Sequence, residues 1–394
     1  MSLSSFNLYH QFSCPQTPFD ERVFDAISVS FGVAVVECFL QRRRDLIAAR
    51  SRGIIELVES WLGDAADPET VWDQAFGRTD WAMESSEADT GDVATQLALR
   101  LSSRGQPGQW HSILSRPMRL RFEGWLLPQC TEIDLQSDGN TVFIVLKVEN
   151  SGTENIGFER TEFSWTSSGA QRLSYAKVNT PIFLMAQSAI EGQLTIDDQF
   201  GSITGYPEVT GNMVQNVQKA LDILAKYAPQ YLQWVERVIR GIVVCQCKET
   251  RTRSSTWSEA PGIILMSVTD DPITIAEMMV HEASHQYFHL LRKLGAVDDG
   301  SDTCLYYSPA VSKERPLSRI LIAYHAFANI LLMYRTTRLN GLVDSGECLR
   351  MENRMQGDIG LLGAPLHANP ALTPLGNALY QPLAQRAEGL DGGG

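Results

Sequence analysis

The sequence predicts an α+β fold that is mainly helical, with a small β-rich region upstream of its principal helices. Two observations predict it. Apolar residues recur at helical spacing over residues 20–105 and again beyond the middle of the chain, whereas residues 110–190 alternate apolar with polar residues. We therefore divide the 394-residue chain into an N-terminal helical region (1–105), a β-rich middle region (106–205) and a C-terminal region (206–394).

The first two regions differ in their hydrophobic pattern. Residues 24–39 and 54–62 carry apolar side chains at helical spacing, so each segment predicts a buried helix. Residues 142–148 form a run that is typical of a strand, and further strands are predicted at 158–165 and 182–185. These short strands define the β-rich middle region.

The C-terminal region combines helices with two strands. Pro229 interrupts a helical stripe over residues 212–239, so two shorter helices are expected there. The apolar segments 241–247 and 262–268 predict the strands.

The second of these strands comes just before the most informative helix of the chain. As an edge strand it would pair with an extended peptide through Gly262, Ile263 and Leu265. The alternative is a plain core strand.

Composition limits the classes of function. Hydrophobic residues make up 44% of the chain and charged residues 20%, which is typical of a globular protein. The formal net charge of -13 argues against a nucleic-acid or anionic-membrane partner, because no extended basic face is available. We find no signal peptide and no apolar run of membrane-spanning length, and the seven scattered cysteines are typical of a reducing compartment. A cytoplasmic protein is expected, and its oligomeric state stays open.

A metal-binding motif lies in residues 271–295, which predict one helix with Asp271 as its N-cap. The helix contains the sequence His-Glu-Ala-Ser-His. Residues four apart lie on the same face of a helix, so His281 and His285 are predicted to bind one metal ion, with Glu282 beside it. The alternative is a pair of ordinary helix histidines with a surface glutamate.

The third ligand decides the class of metal site. His289 lies ~12 Å along the helix from the first histidine of the motif, too far for the same ion. Phe288 and Leu291 stand where a metzincin needs Gly and His, which excludes that class. The next predicted helix has no Asp or Glu within residues 317–340 but carries His325, so we predict His325 as the third ligand and a metal site between two buried core helices. Three imidazoles suit zinc, iron or another divalent ion.

Four short segments resemble one known family. They are His-Glu-Ala-Ser-His-Gln at 281–286, Tyr-Ser-Pro at 307–309, Glu-Arg-Pro-Leu at 314–317 and Tyr-His-Ala-Phe at 324–327. Together they resemble the HExxH-motif peptide β-hydroxylases, which occur beside genes for ribosomally made, modified peptides. The resemblance covers residues 210–335.

The resemblance implies an activity and its cofactors. It implies hydroxylation, at a β-carbon, of a residue in a ribosomally made precursor peptide, with Fe(II) and 2-oxoglutarate as cofactors. By this analogy His281, His285 and His325 hold the iron. The peptide itself and the modified residue are not implied.

A 2-oxoglutarate enzyme needs a cation for the distal carboxylate of that co-substrate. Arg315 and Arg319 come just before and within the first turn of the helix that carries His325, and Arg319 can share a face with it at ~9 Å. Tyr307 and Ser308 supply hydroxyl groups in the connecting loop. The alternative for either arginine is a surface ion pair or a helix-capping contact.

Two further functions fit the same motif. In a zinc metallopeptidase Glu282 would be the general base that takes a proton from water. In a noncatalytic peptide-binding protein the zinc would be structural, although three protein ligands leave an open position that a structural site does not need.

Overall fold

The computed structural model describes residues 9–16, 20–64, 66–84, 87–149, 152–162, 164–190, 202–248, 252–342 and 345–389. Helices account for 51% of the structure and strands for 23%, which confirms the predicted α+β, mainly helical class. The helices are α1 (His10–Ser13), α2 (Glu21–Arg50), α3 (Ile54–Leu62), α4 (Pro68–Val71), α5 (Gln74–Ala82), α6 (Glu87–Ser103), α7 (Gly211–Tyr227), α8 (Pro229–Val238), α9 (Pro272–Arg292), α10 (Leu317–Leu339), α11 (Ser345–Gly363) and α12 (Pro374–Gly389).

The strands fall into four sheets. They are β1 (Ser51–Arg52), β2 (Gly108–Met118), β3 (Arg121–Phe122), β4 (Trp125–Leu126), β5 (Cys130–Ser137), β6 (Thr141–Val148), β7 (Gly152–Arg160), β8 (Trp165–Ser167), β9 (Gln171–Arg172), β10 (Ser174–Ala176), β11 (Ile182–Met185), β12 (Ile203–Gly205), β13 (Gly241–Cys247), β14 (Ser254–Thr256), β15 (Ile263–Ser267), β16 (Tyr306–Ser308) and β17 (Lys313–Arg315). A short 3₁₀ helix (Gln187–Ala189) follows β11.

The first half of the chain builds one core from helices and strands together. Helices α2 to α6 pack against a six-stranded antiparallel sheet with the order β1-β2-β5-β6-β7-β8. Trp110, Phe122 and Phe158 are among its fully buried side chains, so the alternating pattern of the middle region places its apolar face on the helices. A small sheet, β3-β4-β9, extends beside this core.

The strand predicted at 158–165 is two strands. β7 ends at Arg160 and β8 begins at Trp165, and these two residues pair in an antiparallel hairpin. The backbone N–H of Thr161 donates to the carbonyl of Ser164 at 2.7 Å, and the N–H of Ser164 donates back to the Thr161 hydroxyl at 3.0 Å. Residues 160–165 contain no glycine or proline that would mark a turn, which is why the sequence pattern predicted one strand.

The second half packs helices on a mixed sheet with the order β10-β11-β13-β15-β14. β11, β13 and β15 are parallel, and β14 runs antiparallel to β15 at the edge. Helices α7, α8, α9 and α10 surround the same core. The break at Pro229 is confirmed, because α7 ends at Tyr227 and α8 begins at Pro229.

Helix α9 is anchored at its start and in its middle. The Asp271 side chain accepts a hydrogen bond from the N–H of Ile273, and Pro272 takes the first position, as predicted. The Tyr287 ring stacks on Trp234 with centroids 4.3 Å apart, and its hydroxyl donates to the Trp234 carbonyl at 3.2 Å. These contacts fix the rotation of α9 and therefore the direction of its histidines.

Two helices, α2 and α10, are long and apolar enough to cross a membrane by length and composition alone. Their most apolar windows are 44% and 72% buried inside the fold, respectively. α10 therefore has the burial expected of a core helix, with Ile320, Leu321 and Leu331 fully inside.

Candidate metal centre

His281, Glu282 and His285 come together on α9. The two imidazole rings lie edge to face with centroids 4.6 Å apart, and Nε2 of His281 is 3.9 Å from Oε1 of Glu282. One ligand atom from each of the three residues lies within 4.8 Å of the other two. Ligands on opposite sides of an ion with bonds of about 2.2 Å are about 4.4 Å apart, so small side-chain rotations suffice to bring all three onto one ion.

Both imidazoles are poised to be neutral. Burial lowers the pKa of His281 to about 4 and that of His285 well below its ordinary value, where the neighbouring His281 adds to the effect. A neutral imidazole has a free lone pair, which is the form that binds metal. Nδ1 of His285 is buried and has no hydrogen-bond partner among the described residues.

Glu282 is the most unusual group at the site. Its side chain is fully buried, and neither carboxylate oxygen has a partner at full hydrogen-bond distance among the residues that the structure describes. Burial raises the pKa of Glu282 to about 8, and nearby Ser254 and Arg253 lower it only in part. A buried carboxyl group without a partner is costly, so it indicates a cation or a ligand that satisfies it.

These residues fit a divalent metal ion. Two neutral imidazoles and an orphaned carboxyl group converge, and the side chain of His281 is 25% exposed, which leaves an approach from solvent. Two histidines and one carboxylate form the donor set of non-haem iron oxygenases, and the same donors also suit zinc.

The structure does not bring His325 into this cluster, so its predicted role as the third ligand stays a prediction. His325 is fully buried on α10, as predicted, but its Nε2 lies 2.8 Å from the backbone carbonyl oxygen of Phe12. Its ring packs near Trp234 and Phe288, with centroids 6.2 and 6.0 Å away. In this arrangement His325 holds the N-terminal segment through Nε2, while its Nδ1 is buried and has no hydrogen-bond partner among the described residues.

Arg319 lies near the histidine face of α9. Its positive charge contributes to the lowered pKa values of His285 and His289, and no ion-pair partner for it is found among the described residues. His289, one turn beyond His285, is half-buried and has a pKa lowered to about 4, chiefly by burial. The structure therefore places the charge of Arg319 near His285 and His289, and its predicted role in binding 2-oxoglutarate stays a prediction.

No described contact connects the other three predicted co-substrate residues to the histidines. Tyr307 and Ser308 lie on β16, and Arg315 lies on β17, opposite Tyr306. This hairpin packs against α10 and α11 rather than against α9. Tyr307 is 52% exposed and Ser308 is buried, so these two side chains face different environments.

The predicted edge strand is inside the sheet, which corrects the substrate-binding prediction. β15 is paired with β13 on one side and β14 on the other. Ile263 and Leu265 are buried, and the carbonyl oxygen of Gly262 accepts hydrogen bonds from the N–H groups of Arg240 and Gly241. None of these three residues is available to a peptide, because their backbone and side chains are already used by the fold.

β14 is the edge strand beside the metal centre. Its Thr256 hydroxyl bonds to the side-chain amide of Gln286 on α9, and Ser254 lies near Glu282. Its three residues are partly exposed. The sequence analysis missed β14 because the segment Ser-Ser-Thr sits in a polar loop and has no apolar alternation. The Thr residue and the turn residues around it are the only signal that the sequence offers.

Comparison with models of known protein families found no match to this chain, and no curated protein matches it significantly.

Proposed function

We propose that this chain is an Fe(II)- and 2-oxoglutarate-dependent enzyme that hydroxylates a residue of a ribosomally made peptide at its β-carbon. The observation that carries the proposal is the convergence of two imidazoles and one buried carboxyl group at His281, His285 and Glu282. Non-haem iron oxygenases use this donor set and keep further positions open for co-substrate and oxygen. When bound, the iron supplies the activation of oxygen that side chains alone cannot perform.

Arg319 supports the choice of 2-oxoglutarate. In the part of the chain that the structure describes, this cation has no ion-pair partner, so it offers a site for a carboxylate, which a guanidinium group can bind in a bidentate manner. A peptidase has no carboxylate co-substrate for such a cation to bind. The proposal therefore assigns Arg319, rather than Arg315, to the distal carboxylate of the co-substrate.

β14 supports a peptide substrate. The N–H of Ser267 donates to the carbonyl of Arg253, so Arg253 and, two residues on, Ser255 direct their backbone groups toward β15. In an antiparallel ladder the alternate residues, Ser254 and Thr256, then direct their N–H and C=O groups outward. An extended peptide that pairs with this edge would lie next to Glu282.

The reaction balances without a further reductant. 2-Oxoglutarate loses CO₂ and becomes succinate as it takes up one atom of O₂, and the second oxygen atom enters a C–H bond of the peptide. Within this reaction the chain's own residues bind and orient. Arg319 holds the co-substrate carboxylate, β14 holds the peptide backbone, and the full burial of Glu282 keeps bulk water away from its carboxyl group.

Oxygen uptake tests this proposal without knowledge of the peptide. The purified chain, supplied with Fe(II), 2-oxoglutarate and ascorbate, is expected to consume O₂ slowly and to form an equal amount of succinate, because ascorbate reduces the second oxygen atom to water when no peptide is present. Zn(II) in place of Fe(II), and the variant His281→Ala, are expected to give no uptake. Uptake no faster than that of Fe(II) with the heat-denatured protein would contradict the proposal.

A zinc metallopeptidase is the second candidate, and a specific observation favours it. Glu282 lies beside His281, and within the described residues its oxygens have no partner at full hydrogen-bond distance, which suits a general base in the His-Glu-x-x-His peptidases. An antiparallel edge strand beside the motif would serve a peptidase equally well. The two candidates differ in their products, since the peptidase consumes water and leaves two fragments.

A cytoplasmic location completes the proposal. All seven cysteines are free, and four of them are buried. This state is typical of a reducing compartment.

A further inference from the structure

A cavity lies away from the metal centre. It has a volume of about 560 Å³ and opens between α6, the β3-β4-β9 sheet and β11. Neither the histidines nor Glu282 line it. Its volume is within the range of about 300–1,000 Å³ that is typical of small-ligand sites.

Gln96 is an unsatisfied polar group in the wall of this cavity. The residue is only 7% exposed, and neither the oxygen nor the nitrogen of its side-chain amide has a hydrogen-bond partner among the described residues. A buried amide without partners costs free energy, so it indicates a missing ligand. The amide offers such a ligand both a donor and an acceptor.

The cavity is positively charged although the protein is acidic. Seven cationic and four acidic residues line it, a difference of +3. Three of the acids are already used by arginines of the wall. Arg100 contacts Glu123 at 2.7 Å, Arg121 contacts Asp73 at 3.2 Å and Arg240 contacts Glu69 at 3.0 Å, while Arg104 bonds to Asp67 at 3.1 Å. The fourth acid of the wall is Glu162.

The remaining cations are Arg160, Arg172 and Lys177. None of the three has an ion-pair partner within the described part of the chain. Arg172 lies over the rings of Trp125 and Tyr175, with its guanidinium carbon 5.6 and 5.4 Å from the two centroids. These contacts hold the guanidinium group in place but leave its N–H groups free for an anion.

We infer that this cavity binds a small organic anion with a flat, largely apolar body. Arg172, Arg160 and Lys177 bind the anionic group, the aromatic wall that includes Trp125 packs on the body, and the Gln96 amide bonds to a polar atom of the ligand. Aromatic carboxylates and nucleoside monophosphates share this chemistry. The inference is independent of the proposed activity, because no residue of the metal centre takes part.

Calorimetric titration of the full chain tests it with two pairs of probes. Indole-3-acetate is compared with indole-3-acetamide, and adenosine monophosphate is compared with adenosine. We expect one anion of the two to bind, and its neutral counterpart to bind at least tenfold more weakly, since the charge supplies the main contact. If indole-3-acetate binds, the ligand is an aromatic carboxylate; if adenosine monophosphate binds, it is a nucleoside monophosphate.

Two variants connect the binding to the named residues. Arg172→Ala is expected to weaken binding by about tenfold to a hundredfold. Arg42→Ala, which removes an exposed arginine of α2 outside the cavity, is the matched control and is expected to leave binding unchanged. Both arginines are exposed, so loss of folding does not confuse the comparison.

Gln96→Leu provides a second readout. It removes the orphaned amide with little change in size, so the melting temperature of the free protein is expected to rise while affinity for the anion falls. The inference is overturned if neither anion binds, if a neutral counterpart binds as tightly as its anion, or if Arg172→Ala binds like Arg42→Ala.

Discussion

Phe327 lies edge to face against His281, with ring centroids 5.9 Å apart, and it follows His325 by two positions on α10. The His325 ring also lies beside α9, but it packs near Phe288, with centroids 6.0 Å apart, two turns of α9 beyond His281. The Nε2 atom of His325 lies 2.8 Å from the backbone carbonyl oxygen of Phe12. The register of α10 against α9 therefore gives His281 an aromatic neighbour instead of a third imidazole.

The first prediction concerns metal content. His281→Ala and His285→Ala are expected to lose one bound divalent metal per chain, whereas His325→Ala is expected to keep it and to lose about 2–4 kcal/mol of stability, because it leaves the Phe12 carbonyl unsatisfied in a cavity. Elemental analysis measures the metal, and chemical denaturation measures the stability. If His325→Ala folds normally and loses the metal, the ligand set from the sequence is right and the arrangement described above is wrong.

The second prediction concerns Arg319. Arg319→Ala is expected to raise the KM for 2-oxoglutarate at least about tenfold, and Arg319→Lys less, because a lysine keeps the charge without the bidentate geometry. Arg315→Ala is the matched control, since Arg315 lies on a hairpin that packs on α10 and α11. Initial rates at varied 2-oxoglutarate measure both. If Arg315→Ala raises the KM for 2-oxoglutarate more than Arg319→Ala does, the co-substrate carboxylate binds at the hairpin and not beside Arg319.

The third prediction concerns the edge strand β14. Thr256→Pro removes an N–H group that points outward, so it is expected to raise the KM for a peptide substrate without breaking the ladder to β15. Thr256→Val is the control, because it also loses the hydrogen bond to Gln286 but keeps the N–H. If the two variants have the same KM, the peptide does not pair with β14.

The fourth prediction concerns the loop that leads into the β16–β17 hairpin. The side chain of Asp302 accepts hydrogen bonds from Asn369 at 2.8 Å and from the Tyr306 hydroxyl at 2.7 Å. These bonds, with that of Asn369 first, lower the pKa of Asp302 to about 2 from 3.8. A lowered folded-state pKa contributes stability that is fully present above the unfolded value and is lost as pH falls through the folded value.

Between about pH 4 and pH 2, therefore, the free energy of unfolding is expected to fall less steeply in Asp302→Asn than in the unmodified protein. Urea denaturation at a series of pH values measures the slope. Asp64→Asn, at an exposed carboxylate without a described hydrogen bond, should reproduce the unmodified slope. Equal slopes in all three proteins would show that the Asp302 contacts do not persist in solution.

The sequence was most informative where local patterns decide the structure. The cap at Asp271, the proline at the start of α9 and the four-residue spacing of His281 and His285 are local features, and the structure places them as predicted. The break at Pro229 is of the same kind. Each depends on interactions within one helical turn or on a missing N–H group, which the sequence states directly.

The remaining features depend on tertiary register, which local patterns do not encode. His325 and Phe327 are both on a helix that is apolar on nearly every side, so no hydrophobic stripe shows which of them lies against His281. Likewise, the apolar sequence of β15 suits an edge strand and a central strand equally well. Its central position depends on its pairing with the polar segment β14. Glu282 acquires its unusual environment from the same pairing.

The mass of a peptide substrate tests the central claim most directly. Precursor-like peptides are incubated with the protein and Fe(II), with and without 2-oxoglutarate, and their intact masses are measured by mass spectrometry. The account predicts an uncut peptide that is heavier by one oxygen atom, only when 2-oxoglutarate is present, and no product from His281→Ala. Cleavage into two fragments that needs zinc but not 2-oxoglutarate, and that is lost in Glu282→Gln, would contradict it and establish the peptidase.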